Sequence, residues 1–108
     1  MDAFQIREVL KPHETGRHEY QEFFRSERLS LAIAIWPAGS KDEQRPHTED
    51  EVYYVVEGSA HITVANEQQE VRPGSVVFVA AGVEHHFDRI DQDLKVLVFW
   101  APPRNTRR

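Results

Sequence analysis

The chain has 108 residues, 13 Lys+Arg against 18 Asp+Glu, and no cysteine. That length suits one domain, expected to span 1–108, and the acidic balance argues against a nucleic-acid partner, which wants a basic field. Without cysteine there are no disulfides, thiolate nucleophiles or cysteine-held zinc, in keeping with a cytoplasmic setting.

The start, MDAFQIREVL, is polar and acidic and does not read as a signal peptide, and no apolar run is long enough to cross a membrane. Residues 1–28 are ambiguous. FQIREVL alternates loosely at Phe4 and Ile6, which suggests a short strand. Tyr20, Phe23 and Phe24 have helical spacing, although a strand also fits. From 29 the pattern sharpens. LSLAIAIW (29–36) is an apolar β segment stopped by Pro37 and Gly39, and the polar segment 40–51 follows. EVYYVVEG (51–58) predicts a second strand and 60–65 a third, with 66–69 turning the chain back. After Pro73–Gly74, VVFVAAG (76–82) and LKVLVFW (94–100) predict further strands, with a short one around Phe87 between them. Short strands punctuated by Gly and Pro, with almost no convincing helix, indicate an all-β sandwich or barrel.

Strand parity puts Glu51, Tyr53 and Val55 on one face and Val52, Tyr54 and Val56 on the other. Both faces are largely apolar. A small barrel interior buries only one, so the second needs cover from the N-terminal segment or from a second subunit.

Six histidines are present. His13, His18 and His61 read as surface or outer-face residues, and His86 as a rim residue pointing opposite to His85. His47 and Glu51, four apart at the mouth of an apolar strand, and His85, after the turn AAGVE, are the groups that a barrel can bring together. Imidazole nitrogen and carboxylate oxygen together suit a borderline divalent ion. The plain alternative is a histidine in a solvated loop and a carboxylate at a strand edge.

At this point a resemblance enters. PHTEDEVYYVVEG (46–58) resembles the first motif of the cupin superfamily, which supplies two histidines and a glutamate and closes on a glycine, here Gly58. PGSVVFVAAGVEHHF (73–87) resembles the second motif, with His85 where the remaining ligand histidine falls. Asp42, Gln44, Pro46 and His47 match the opening of small single-domain cupins. The motifs usually carry proline at Ala80 and asparagine at Arg89. The resemblance covers about 35–100 and implies a double-stranded β-helix, or jelly-roll barrel.

It also implies one divalent metal ion, with iron, manganese, nickel and zinc all chemically allowed, bound near a small organic ligand. The first ligand histidine of the pattern falls on Arg45, which offers only donors and cannot coordinate. Gln44 is the neighbouring candidate through its amide oxygen. The alternatives are a three-ligand site of His47, Glu51 and His85, or a decayed one. Tyr53, on the face of Glu51, is a pocket candidate, and Phe78, Phe87 and Trp100 would supply an apolar lining. Members of this superfamily resemble one another in mounting more than in reaction. The expected function is therefore a metal-binding cupin, either an enzyme of oxygenase, isomerase or decarboxylase type or a non-catalytic binding module. Small cupins also resemble one another in pairing through sheet faces and exchanging N-terminal strands. A homodimer is expected, with segment 3–10 as such a strand.

Overall fold

In the computed structural model, residues 1–13, 18–42, 44 and 46–105 are described, without the side chains of 18 and 19. Arg45 and the side chain of His18 lie outside them. A short helix α1 (Ile6–Leu10) and one 3-10 turn precede six strands: β1 (His18–Arg25), β2 (Ser30–Trp36), β3 (Asp50–Val64), β4 (Glu67–Val71), β5 (Val76–Val79) and β6 (His85–Ala101). All pairings are antiparallel, in the order β1-β2-β6-β3-β4, with β5 also on β3.

Two long strands organise the barrel. The first half of β3 pairs with the end of β6 (Glu51 opposite Trp100, Tyr53 opposite Val98). Its second half pairs with the start of β6 (Ile62 opposite Phe87, Val64 opposite His85). The register slips at three places between Val55 and His61. Gly58, at φ 92°, sits within this bend, and a Cβ there would collide with the carbonyl oxygen of Asp93 and lie 2.8 Å from the Cα of Leu94. The bend folds both strands over, so the two halves of each contribute to opposing layers. Between the layers lie Ala32, Ala34, Trp36, Tyr53, Val55, Ile62, Val71, Phe87, Leu94, Val96, Val98 and Trp100.

Several expectations change in detail. The separate strands read at 51–58 and 60–65 are one strand, as are those around Phe87 and at 94–100, because bulges bend a strand without ending its pairing. Most of the expected turn 66–69 belongs to β4, since Ala65 takes a positive φ of 55° and completes the reversal early. Tyr20, Phe23 and Phe24 lie on a strand.

The N-terminal strand is corrected to a helix. Ile6, Val9 and Leu10 recur at helical spacing, which outweighs two alternating positions. Leu10 is fully buried with Ile33 and Ile35, and Ile6, Val9, Phe23 and Val56 pack around them. The segment thus covers part of the outer sheet face of its own chain. Arg7 also reaches Glu57 on β3, Nη1 to Oε2 at 2.6 Å. The remainder of that face is open: Tyr54, Val76, Phe78 and Phe99 are exposed, and the register sets Val52 opposite both Phe78 and Phe99.

Candidate metal centre

Glu51 opens β3 and faces inward with Tyr53 and Val55, as its parity requires; it is buried. His85 opens β6 and is also buried. His47 lies in the β2–β3 loop. The N–H of Gly82, in the turn before β6, donates to the carbonyl of His47 (2.7 Å), and the N–H of Ala81 donates to Oδ1 of Asp50 (2.9 Å). These bonds tie the loop carrying His47 to the turn that delivers His85. One potential ligand atom from each of His47, Glu51 and His85 falls within 4.8 Å of the others.

Orientation within the group is chemically specific. Nδ1 of His85 lies 2.8 Å from the carbonyl of Val83, which only accepts, so Nδ1 carries the hydrogen. In the neutral ring Nε2 is then a lone pair, and it lies 3.0 Å from Oε1 of Glu51. Nε2 and both carboxylate oxygens are buried and make no hydrogen bond among the described residues. A lone pair facing a carboxylate in a dry interior is repulsive unless a cation or a proton lies between them. The donor set of two imidazoles and a carboxylate, with the second nitrogen of His85 fixed by a backbone carbonyl, fits a divalent ion.

Burial disfavours the charged ring of His85, but the adjacent Glu51 carboxylate, helped by the Val83 carbonyl, outweighs it and raises its pKa. For His47 burial dominates and lowers the pKa, which favours the neutral, ligating form.

Gln44 belongs to the same neighbourhood. Its Oε1 lies 3.4 Å from Nε2 of His47 and accepts from the hydroxyl of Tyr20 (2.7 Å), with the hydroxyl of Tyr53 at 3.2 Å. The two hydroxyls are 3.0 Å apart. If Tyr53 donates to Tyr20 and Tyr20 to Gln44, one lone pair of the amide oxygen stays available. The amide nitrogen donates to Oδ2 of Asp42, which also accepts from the N–H of Phe87 (2.8 Å). Asp42 thereby sets the amide with its oxygen toward His47. Burial, above all, raises the pKa of Asp42, and it raises those of Tyr20 and Tyr53 well above a tyrosine's ordinary value.

Of the expected apolar lining, Phe87 and Trp100 are buried, but Phe78 is 60% exposed. It lies opposite Val52 on the outer face, whereas its neighbours Val77 and Val79 turn inward or toward the core. His86 is exposed, and His61 is half-buried opposite Asp88 and Glu70. An open groove of about 490 Å³ includes Ile62, Val64, Val71 and Phe78 in its lining and none of the His47–Glu51–His85 group.

Sequence reasoning missed Tyr20 and Arg104 as neighbours of the site. Tyr20 sat in the segment of mixed periodicity, and only the pairing of β1 with β2 brings it there. Arg104 opens the basic stretch RNTRR (104–108), outside both motifs, yet its guanidinium lies over the rings of Tyr20 (4.5 Å to the centroid) and Trp100 (4.9 Å).

Comparison with known proteins places these features in a family. The family model described as Cupin domain matches residues 32–101. An uncharacterized protein of Streptomyces coelicolor is 43% identical over 105 residues, covering 97% of this chain and 100% of its own. A solved structure from Bacillus halodurans superposes with a TM-score of 0.79 at 20% identity, over 98% of this chain and 84% of that one. The DMSP lyase DddQ from Ruegeria pomeroyi superposes with a TM-score of 0.72 at 23% identity, over 82% of this chain. This chain covers 48% of the lyase, about half its length, and at such identities the likeness shows the fold alone. With the family match extending over most of the barrel and a relative of this identity along nearly its whole length, the chain belongs to the cupin domain family and carries its double-stranded β-helix.

Proposed function

We propose that the protein is a metal-binding cupin that takes a small organic acid or enol at the ion held by His47, Glu51 and His85, with Gln44 as a fourth protein ligand. The observation that carries this reading is the buried lone pair of His85 Nε2 set 3.0 Å from the Glu51 carboxylate with no hydrogen bond to either. When bound, a divalent ion would supply Lewis acidity toward the oxygens of the ligand.

The remaining roles belong to the chain. Val83 fixes the ring of His85 through its carbonyl, Asp42 orients the amide of Gln44, and Tyr20, within hydrogen-bond distance of Tyr53, holds its oxygen. Trp100 and Phe87 keep the interior end dry. A ligand approaches from the end where His47 is only half-buried.

Catalysis, of oxygenase or of isomerase or decarboxylase type, is the first form of this reading. The second form is a binding or sensing module. It is favoured by the two tyrosines beside the site, whose hydroxyls are engaged with each other and with Gln44. We further place the protein in the cytoplasm as a homodimer that uses the open face around Tyr54 and Phe78. Absence of cysteine and the exposed apolar side chains support these two assignments.

Elemental analysis of protein purified without metal-affinity steps tests the first claim: about one divalent ion per chain is expected, and none that survives dialysis would overturn it. Incubating the loaded protein with 2-oxo, 2-hydroxy and enolisable acids, followed by NMR, separates the two forms. New resonances identify an enzyme; binding without conversion identifies a module.

A further inference from the structure

The turn after β6 is fixed more firmly than a solvated basic tail requires. The backbone N–H of Arg104 donates to Oγ of Ser30 (3.0 Å), its carbonyl accepts from Nη1 of Arg25 (3.1 Å), and the N–H of Asn105 donates to Oε2 of Glu49 (2.6 Å). Ser30 and Glu49 are buried polar side chains, and each gives an oxygen to this turn. Three anchors from three different parts of the chain therefore determine where the Arg104 side chain starts.

That side chain returns over the barrel end. The guanidinium lies on Tyr20 and Trp100. The ring of His47 is 6.2 Å from that of Tyr20 and 6.0 Å from that of Trp100, centroid to centroid. The charge is thus one aromatic layer from the candidate metal ligand. Among the described residues no carboxylate forms an ion pair with it. The Nε–H of Arg104 also has no acceptor among the described residues. A guanidinium held on two rings without a carboxylate partner suits a ligand with negative oxygens. Arg104 and His47 are each only partly buried, so such a ligand has a way in.

We propose that Arg104 is a specificity-determining residue that binds a carboxylate of a small organic acid whose other oxygen donor reaches the His47–Glu51–His85 group. This rests on the metal-site reading above and narrows the ligand class to acids with a second oxygen donor a few bonds from the carboxylate. A neutral enol or amide lacks the charge that the guanidinium matches.

Malonate and its neutral analogue malonamide are suitable probes, titrated by calorimetry into metal-loaded and metal-free protein. Arg104→Met keeps an unbranched apolar chain over the two rings and removes the charge; Arg104→Lys keeps the charge and removes the planar fork. In the loaded protein we expect malonate to bind at least tenfold more tightly than malonamide. R104M should abolish that preference, R104K should retain part of it, and the metal content of both should match the wild type. A packing role alone would lower thermal stability in R104M and leave the malonate-to-malonamide ratio unchanged, which would overturn the proposal. Equal binding of the two probes by the wild type would do the same. Failure of the metal reading has a different signature, absence of stoichiometric metal in the wild type. The metal-free titrations then decide for the arginine: a malonate preference lost in R104M supports it, and no preference overturns it.

Discussion

Nε2 of His85 faces Oε1 of Glu51 at 3.0 Å, both buried, while the other ring nitrogen is committed to the carbonyl of Val83. Only a proton or a metal ion makes this contact favourable. Without an ion, the Glu51 carboxylate outweighs burial and raises the pKa of His85, which favours a proton there.

An ion bound by the folded state alone should therefore stabilise it. At a free ion concentration one hundred times Kd the gain is about 2.7 kcal/mol. Chelation should lower Tm correspondingly, and His47→Ala should abolish both the shift and stoichiometric metal. Calorimetric scans with and without chelator check this. Full metal content with unchanged affinity in H47A would remove His47 from the ligand set.

Gln44→Ala should weaken metal binding while retaining the fold, since its amide oxygen is the group held against His47 by Tyr20. Arg45→Ala should leave binding intact, because a guanidinium cannot coordinate a cation. Competition titration against a chromophoric chelator compares the variants. Identical affinity in Q44A and wild type would leave a three-ligand site.

Gly58 is constrained by both backbone and space. A residue with a side chain at φ 92° carries about 1–2 kcal/mol of strain, and its Cβ would in addition press on Asp93 and Leu94. Gly58→Ala should therefore lower unfolding stability by at least that amount in urea titration. Wild-type stability in G58A would mean that the bend between the halves of β3 rearranges at little cost.

The pair Arg7–Glu57 joins the N-terminal helix to β3, and Lys95 also reaches Glu57 (3.3 Å). The hydrogen bond from Arg7, and secondarily Lys95, lowers the pKa of Glu57 in the folded protein. A depressed carboxylate pKa means stability present above the unfolded value and lost as pH falls through the folded one. Since both side chains are largely exposed, the contribution is small, roughly 0.2–1 kcal/mol, and screened by salt. Arg7→Ala should be slightly less stable than wild type at neutral pH. The difference should vanish in acid below the folded pKa of Glu57, as measured by urea titration across pH. A difference that persists unchanged in acid would assign it to packing.

Sedimentation equilibrium at low micromolar protein should give twice the 12.6 kDa chain mass. Replacing Phe78 by Glu, on the open face, should shift it toward monomer. A single monomeric species in the wild type, independent of concentration, would show that the face around Tyr54 and Phe78 needs no cover.

Much of this architecture is legible in the order of residues. Alternation from Glu51 to Val56 places the glutamate inward and Tyr54 outward without reference to any neighbour, because side chains on a strand alternate strictly. His47 precedes an apolar strand and His85 follows a glycine-marked turn, so their approach to Glu51 follows once the barrel is recognised. Other relations depend on packing between distant segments. Residues 6–10 carry both a weak alternation and a helical spacing, and burial of Leu10 against Ile33 and Ile35 selects the helix. Phe78 looks like core by composition, but the pairing register with Val52 turns it to the outer face. Tyr20 and Arg104 are 84 positions apart, and neither lies in a motif. They meet over Trp100 because β1 is joined to β6 through β2, and because Ser30, Arg25 and Glu49 anchor the final turn. Local periodicity determines which way a side chain points. Which distant side chain it then meets is set by strand order and register, and those are decided by the fold as a whole.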